Sequence, residues 1–205
     1  TEVVYVQTSG TVLLGSDAAE TLTGGDDDDL IFGFGSNDYM TGGAGADEIS
    51  GHAGYDRLYG NDGADLLFGG DDADSLYGGD GNDTLRGDDG NDYVAGDAGD
   101  DILWGGTGND RLHAGADNDT LYGQDGNDTL YGNSGNNLLD AGAGDDFLNG
   151  GNGNDTLIGG AGNDSIRAGQ SETSIEGGSG TDTIIGSTLA DTLLGGEGDD
   201  TILTA

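Results

Sequence analysis

An apolar residue recurs at every ninth position along almost the whole of this chain. From Leu22 to Ile202 that position always holds Leu, Ile, Val or Met, and each occurrence follows a stretch rich in Gly and Asp. Residues 15–203 therefore divide into 21 consecutive nonapeptides without insertion or deletion, in which the apolar residue occupies place eight. A nine-residue period fits neither the 3.6-residue period of a helix nor a heptad. The pattern predicts one strand and one turn in each repeat.

The complete repeat reads Gly-Gly-x-Gly-x-Asp, then any residue, an aliphatic residue and any residue. It stands in this form at residues 42–50, 78–86 and 150–158. Place six is Asp in 18 of the 21 repeats, and the exceptions are Glu20, Asn137 and Thr173. Place one is Gly in 18 repeats and Ala in the other three, at Ala114, Ala141 and Ala168. An acidic residue thus follows a glycine-rich segment at a fixed phase.

The repeat can be assembled place by place. Glycines at places one, two and four allow positive φ and close backbone approach, so we expect the first six residues to form a tight turn. Places seven to nine then form a short strand, whose place-eight side chain points to one face and whose neighbours point to the other. Two nonapeptides make one course of 18 residues. The predicted fold is all-β: a parallel β-roll, or right-handed parallel β-helix, with two sheets of short strands facing each other across the apolar rows.

The repeat also sets the predicted organisation of the chain. Residues 1–14 keep the phase, with Val4 and Leu13 at place eight but no glycine-rich turn, and we interpret them as an N-terminal capping course. Residues 15–203 form the solenoid, and residues 204–205 form a short tail. A solenoid of this kind holds each course only against its neighbours.

The net charge of the chain restricts its possible partners more than its length or hydrophobicity does. The chain holds 41 acids against four arginines and no lysine, a net charge of -37. Nucleic acid is a poor partner for such a surface, because binding phosphate needs clustered Lys and Arg. No apolar stretch is long enough to insert in a membrane, and without Cys neither disulfides nor thiolate sites can form. Stacked place-six carboxylates about 5 Å apart would repel by roughly 3 kcal/mol at an effective dielectric near 20, which calls for a hard divalent cation.

These residues resemble the calcium-binding nonapeptide of the repeats-in-toxin (RTX, haemolysin-type) family, and the match covers residues 15–203. The resemblance implies a β-roll with calcium held between loops two repeats apart, by place-six carboxylates and by backbone carbonyls of places one to four. It also implies a secreted bacterial protein, a toxin among the possible parents, that leaves the cell by type I secretion and folds on meeting external calcium. Ligands made only of oxygen favour calcium over zinc, and flexible carbonyl-rich loops favour it over magnesium.

The resemblance assigns the metal ligands by place. The carboxylate ligands are Asp29, Asp38, Asp47, Asp56, Asp65, Asp74, Asp83, Asp92, Asp101, Asp110, Asp119, Asp128, Asp146, Asp155, Asp164, Asp182, Asp191 and Asp200. The carbonyl ligands are best represented by Gly43, Gly45, Gly79, Gly81, Gly106, Gly108, Gly151, Gly153, Gly160 and Gly162.

Loops 18 residues apart divide these ligands into two columns. The first column runs from Glu20 through Asp38 to Asp200, and the second from Asp29 to Asp191. Together they allow up to 19 inter-loop sites, 14 of them between two aspartates, and 19 calcium ions would carry +38 against -37. The sites beside Asn137 and Thr173 are expected to be weaker, because one carboxylate is missing. Non-glycine residues at place four, as in the loops that contain residues 27, 72, 117, 171 and 189, mark altered sites.

Other functions have less support in the sequence. Ten of the 13 aromatic residues lie at the outward places seven or nine, and six of them fall on one sheet: Tyr39, Tyr59, Tyr77, Tyr93, Tyr131 and Phe147. They suit either a platform for polysaccharide or partner proteins, or simple reinforcement of strand pairing, which we favour. Thr84, Thr120 and Thr156 suggest an ice-binding row, but Ile102 and Leu138 interrupt it.

Catalysis is not predicted, and we expect no enzyme in this segment. His52 is expected in a turn and His113 on a strand, and no nucleophile, base and orienting group can be assembled around either. The leading hypothesis is a calcium-binding structural module that acts as a folding switch. The alternative is a polysaccharide- or partner-binding module attached to an enzyme or adhesin in flanking domains of the parent protein, outside this segment.

Overall fold

The computed structural model describes residues 10–204, which form a solenoid of 22 β-strands in two parallel sheets of 11 strands each. The described residues contain no helix, so none that could cross a membrane. Consecutive strands alternate between the two sheets, which we call the odd sheet and the even sheet after the strand numbers. The two-sheet parallel solenoid predicted from the sequence is confirmed.

The odd sheet consists of β1 (Val12–Ser16), β3 (Leu30–Gly35), β5 (Glu48–Ala53), β7 (Leu66–Asp71), β9 (Thr84–Asp89), β11 (Ile102–Thr107), β13 (Thr120–Asp125), β15 (Leu138–Ala143), β17 (Thr156–Ala161), β19 (Ser174–Ser179) and β21 (Thr192–Glu197). The even sheet consists of β2 (Thr21–Thr23), β4 (Tyr39–Ala44), β6 (Arg57–Asp62), β8 (Ser75–Asp80), β10 (Tyr93–Ala98), β12 (Arg111–Ala116), β14 (Thr129–Asn133), β16 (Phe147–Asn149), β18 (Ser165–Arg167), β20 (Thr183–Ile185) and β22 (Thr201–Leu203).

The register of both sheets follows the sequence repeat. Each residue pairs with the residue 18 positions further on, as Leu85 does with Leu103 and Leu103 with Leu121. The 18-residue course is therefore confirmed. At the usual strand spacing, 11 strands stack into a rod about 50 Å long.

The strands are longer than the sequence suggested. Most contain six residues, so that Ser75–Asp80 joins places seven to nine of one repeat to places one to three of the next. The prediction that places one to six form the turn was wrong, because the first three places pair with the next course and only places four to six bend. Three-residue strands occur only at β2, β16, β18, β20 and β22 among the described residues.

The core is a single file of place-eight side chains from each sheet. Side chains from Ile31 to Ile184 at this place are at most 1% exposed. Each contributes roughly 1.5–3 kcal/mol by leaving water. Leu13, in β1, is also buried, whereas Val4 of the expected capping course lies outside the described residues. In the last described course Ile202 is 43% exposed, because no further described strand covers it.

Gly is favoured at places one and four for different physical reasons. At place four, Gly81 has a φ of +136°, and a Cβ there would lie 1.6 Å from the carbonyl oxygen of Gly63, one course away. The backbone of the neighbouring course cannot move away from such a Cβ without breaking the pairing between courses. At place one, Gly78 lacks a positive φ, and a Cβ there would lie 2.2 Å from Asp83 Oδ2 and 2.8 Å from the carbonyl oxygen of Gly96, so its backbone contact is less severe than that of Gly81. Place four nevertheless holds another residue in seven repeats. Ser36, Asp72 and Asp117 there have φ of +69° to +78°, so these loops differ in backbone conformation from the loop of Gly81.

These contacts lead to a first test. Gly81→Ala is expected to lower the thermal unfolding midpoint in saturating calcium sharply, because it combines a backbone clash with an unfavourable φ. Gly78→Ala, three residues away, is the matched control and should lower it much less. Differential scanning calorimetry of both variants measures the two shifts. Equal shifts would mean that backbone stacking at place four does not limit the fold.

Candidate metal centre

The place-six aspartates lie in the bends between strands and are buried. From Asp29 to Asp182 they are at most 4% exposed. The first column lies between the ends of odd strands and the starts of even strands, and the second column lies on the opposite edge. The sequence thus places rows of ionisable groups inside both edges of the rod.

One oxygen of each carboxylate holds neighbouring courses together. The backbone N–H of Asp83 donates to Oδ1 of Asp101 at 2.8 Å, and that of Asp92 donates to Oδ1 of Asp110 at 2.8 Å. The same bond repeats along both columns between residues 18 apart. These carboxylates therefore stabilise the turns as well as carrying charge.

The other oxygen has no partner in most of the loops. Oδ2 is buried without a hydrogen bond in 15 aspartates: Asp38, Asp47, Asp56, Asp65, Asp74, Asp83, Asp92, Asp101, Asp110, Asp119, Asp128, Asp146, Asp155, Asp164 and Asp182. A buried, unpaired carboxylate oxygen is costly, and native proteins rarely keep one. A regular set of 15 fits a row of bound cations.

The Asn137 loop shows which backbone oxygens face this position. Its side-chain Nδ2 donates to the carbonyl oxygens of Gly132 at 2.8 Å and of Gly135 at 3.4 Å, which belong to places one and four of the same repeat. Carbonyls of places one and four therefore converge on the place-six side chain.

In most other described repeats the place-four carbonyl oxygen accepts no hydrogen bond from the protein. Within residues 10–204, the only one that accepts a backbone hydrogen bond is that of Leu189. Of the predicted carbonyl ligands, Gly45, Gly81, Gly108, Gly153 and Gly162 occupy this place. At place two, by contrast, the Gly151 carbonyl already accepts the N–H of Gln170.

All the atoms at this position that could coordinate a metal ion are oxygens. Among the described residues, no three His, Cys, Asp or Glu side chains are arranged to hold one metal ion. Each loop supplies one buried place-six carboxylate, and the rest of a coordination shell would be carbonyls. Calcium accepts six to eight such oxygens in flexible geometry, whereas zinc prefers nitrogen and sulfur. The residues present therefore fit calcium.

Burial without a cation raises the pKa of these carboxyl groups. Loss of solvation, opposed by the backbone hydrogen bond from the preceding course and reinforced by neighbouring carboxylates, raises the pKa of Asp74 to about 8. Loss of solvation is also the main cause at Asp101 and Asp128, whose pKa values rise to about 7, and at Asp47 and Asp83, whose values rise to about 6. In the calcium-free fold, protons would bind the same carboxylate oxygens that suit a cation.

The sign of these shifts gives a pH dependence. Because the pKa values in the folded state are raised to about 6–8, protonation stabilises the calcium-free fold at low pH, and this contribution is lost as pH rises through that range. In excess chelator, β-structure measured by circular dichroism is expected to increase as pH falls from 8 to 5. A calcium-free chain whose β-content is the same at both pH values would contradict this. Size-exclusion chromatography at pH 5 serves as the control for aggregation.

The aromatic residues form a ladder on the even sheet, as the sequence indicated, and the ladder includes a histidine. Adjacent ring centroids lie 4.7–5.9 Å apart along Tyr39, Tyr59, Tyr77, Tyr93, His113, Tyr131 and Phe147. Arg111 and Arg167 lie over the rings of Tyr131 and Phe147. Two of the six neighbouring ring pairs are stacked and four are tilted, and these contacts between successive strands reinforce the sheet.

The two histidines do not form a catalytic group. His52 lies in β5 and not in a turn, so that expectation was wrong, and its ring stacks on Phe34 at 5.4 Å. His113 lies on the other sheet, where its Nε2 accepts a hydrogen bond from Arg111 Nε at 2.8 Å. Burial, reinforced by Arg111, lowers the pKa of His113. Both side chains therefore belong to outward stacks of rings.

Comparison with known families decides what these loops are. The family model of the RTX calcium-binding nonapeptide repeat matches residues 14–49, 41–76, 68–103, 77–112, 104–139, 131–166 and 176–205. The chain belongs to the RTX repeat family. Its resemblance to that family in the sequence is thereby confirmed, and the RTX fold with its row of unpaired carboxylates makes it a calcium-binding β-roll module.

A solved structure shares the fold of this RTX module. It is the crystal structure of a hyperactive, Ca2+-dependent, β-helical antifreeze protein from an Antarctic bacterium, with 23% identity and a TM-score of 0.60. The alignment covers 98% of this chain and 82% of that one. At this identity the likeness shows the fold alone. A search of curated proteins finds no match.

Proposed function

We propose that the chain is a structural module of a secreted bacterial RTX protein, disordered without calcium and folded by it into a rigid rod. The observation that carries the proposal is the set of 15 buried Oδ2 atoms without a partner. The RTX family, typical of secreted bacterial proteins, supports the location outside the cell. Low calcium inside the cell would keep the chain unfolded for type I secretion, and external calcium would fold it.

The proposed ligands are the place-six aspartates of both columns, together with carbonyls of places one and four. Calcium bound there would supply positive charge to the unpaired Oδ2 atoms and to the carbonyl oxygens that lack donors. The chain's own part is to bring these oxygens together: β-pairing fixes the register, and the Oδ1 hydrogen bonds orient each carboxylate. No catalytic role is proposed, because the buried acids accept the hydrogen bonds that orient the turns and serve as the proposed calcium ligands.

The test is a calcium titration followed by far-ultraviolet circular dichroism, with magnesium at equal concentration as the control. Calcium should induce β-structure cooperatively, and magnesium should not replace it. If the circular dichroism spectrum showed full β-structure in excess chelator, the proposal that calcium switches folding would be contradicted.

Polysaccharide or partner binding is the second candidate, and one groove supports it. The groove has a volume of about 680 Å³, and Tyr39, Tyr55 and Arg57 line it beside the first column. Tyr55 is 59% exposed, so its ring remains available, unlike the stacked rings of the ladder. Retention on polysaccharide resins in calcium, compared between the natural chain and Tyr55→Ala, tests this candidate. Ice binding gains no support, because Thr84, Ile102 and Thr120 alternate in the outward row at place seven.

A further inference from the structure

Three loops of the second column differ from the rest in how their carbonyls are bonded. Within residues 10–204, hydrogen bonds reach the place-four carbonyl oxygen in only three repeats, at Gly135, Ser171 and Leu189. These three repeats contain Asn137, Thr173 and Asp191 at place six. In the other loops this oxygen has no donor within the described chain.

In the first of these loops, an amide replaces the carboxylate without disturbing the course. Asn137 Oδ1 accepts the backbone N–H of Asp119 at 2.8 Å, as an aspartate Oδ1 does elsewhere. Its Nδ2 takes the place of the unpaired Oδ2 and donates to Gly132 and Gly135. The two carbonyl oxygens that would face a cation face N–H donors here.

In the second loop, a hydroxyl does the same. Thr173 Oγ1 lies 3.2 Å from the carbonyl oxygens of both Ala168 and Ser171, at places one and four. A neutral donor therefore stands where other loops present an anionic oxygen.

The third loop keeps its aspartate but satisfies it internally. The backbone N–H of Ser187 donates to Asp191 Oδ2 at 2.5 Å, and its hydroxyl lies 3.2 Å from Oδ1. Gly25 makes the same N–H bond to Asp29, and Ser16 makes both contacts with Glu20, so these bonds alone do not distinguish the Asp191 loop. The distinguishing bond is to the place-four carbonyl. The N–H of Asp191 donates to the carbonyl of Leu189 at 3.1 Å. Ser187 is buried and Asp191 is partly buried.

We propose that the Asn137, Thr173 and Asp191 loops bind no calcium, because hydrogen-bond donors of Asn137, Thr173 and Asp191 occupy the place-four carbonyl oxygens that a cation would need. The proposal rests on calcium binding by the other loops. It reduces the 19 possible inter-loop sites to 15, because the four second-column sites beyond Asp119 each need at least one of these loops. Asp155 lies between two of these loops, so of the 15 aspartates with an unpaired Oδ2 it is the one left without a cation. The C-terminal part of the second column is then closed by hydrogen bonds, while the first column depends on calcium throughout.

Bound calcium per chain, measured by equilibrium dialysis and atomic emission in saturating calcium, tests the proposal. Asn137→Asp removes the donor and restores a carboxylate, and is expected to add one or two calcium ions. Asn136→Asp adds the same charge at the exposed place five and should add none. Asp101→Asn, in an intact part of the same column, should lose one or two ions and remain folded by circular dichroism.

The outcomes distinguish failure of the proposed calcium binding from failure of the proposal about the three loops. A natural chain that binds no calcium would overturn the proposed function itself. A natural chain that binds calcium, with the same amount in Asn137→Asp, would overturn only the closed loops. A gain in Asn136→Asp equal to that in Asn137→Asp would also overturn them, because charge alone would then explain the gain.

Discussion

Removal of calcium is expected to abolish the fold. In excess chelator at pH 8 the chain should give the spectrum of an unfolded polypeptide, and β-structure should return cooperatively at about 0.1–1 mM calcium, the range of extracellular calcium modules. The reason is that unpaired, buried carboxylate oxygens repeat along both edges of a rod with a net charge of -37. Cooperativity follows from the solenoid, in which each course is stabilised by its neighbours.

A second readout measures the size of the change. An unfolded chain of 205 residues has a radius of gyration of roughly 50 Å, whereas a compact chain of that length has one below about 20 Å. Small-angle X-ray scattering with and without calcium should show this contraction. The same compact radius in chelator at pH 8 would count against a cation-dependent fold.

Loss of one carboxylate should matter more in the first column than between closed loops. Asp110 Oδ1 accepts the N–H of Asp92 at 2.8 Å, and Asp155 Oδ1 accepts that of Asn137 at 2.9 Å. Substitution of either by Ala removes this charge-assisted bond, which costs about 1.5–3 kcal/mol, or roughly 3–12 °C in the unfolding midpoint. Asp110→Ala also removes a ligand shared by two calcium sites, so its midpoint should fall further.

Calorimetry and calcium analysis of both variants check this difference. Asp110→Ala should bind up to two fewer ions than the natural chain, whereas Asp155→Ala should bind the same number, because the Asn137 and Thr173 loops flank it. Asp155→Ala serves as the matched control for the hydrogen bond alone. Equal losses of stability and of calcium in the two variants would mean that the columns are equivalent.

The sequence predicted most of the fold because the repeat never changes phase. Place-eight residues such as Leu103 fix which side faces the core, and the interval of 18 fixes the register. Strand length was not predictable, because places one to three combine glycines typical of turns with residues that pair once the next course is present. The same effect placed His52 on a strand.

The candidate site was predicted in part. The phase of Asp83 or Asp110 identified the place-six carboxylates, and Asn137 and Thr173 were recognised as departures from the pattern. The sequence could not show that their side chains donate to carbonyls, since this depends on three-dimensional approach. Nor did it indicate closure at Asp191, where the aspartate is intact and the distinguishing contact is the bond from its own N–H to the carbonyl of Leu189.

Calcium anomalous scattering from crystals of the whole chain tests the central claim most directly. A continuous line of peaks is expected beside the first column from Asp38 to Asp200, each close to carboxylate Oδ2 atoms. In the second column, peaks are expected from Asp29 to Asp119 and none at the Asn137, Thr173 and Asp191 loops. A folded chain with no calcium peaks beside the buried carboxylates would contradict the account.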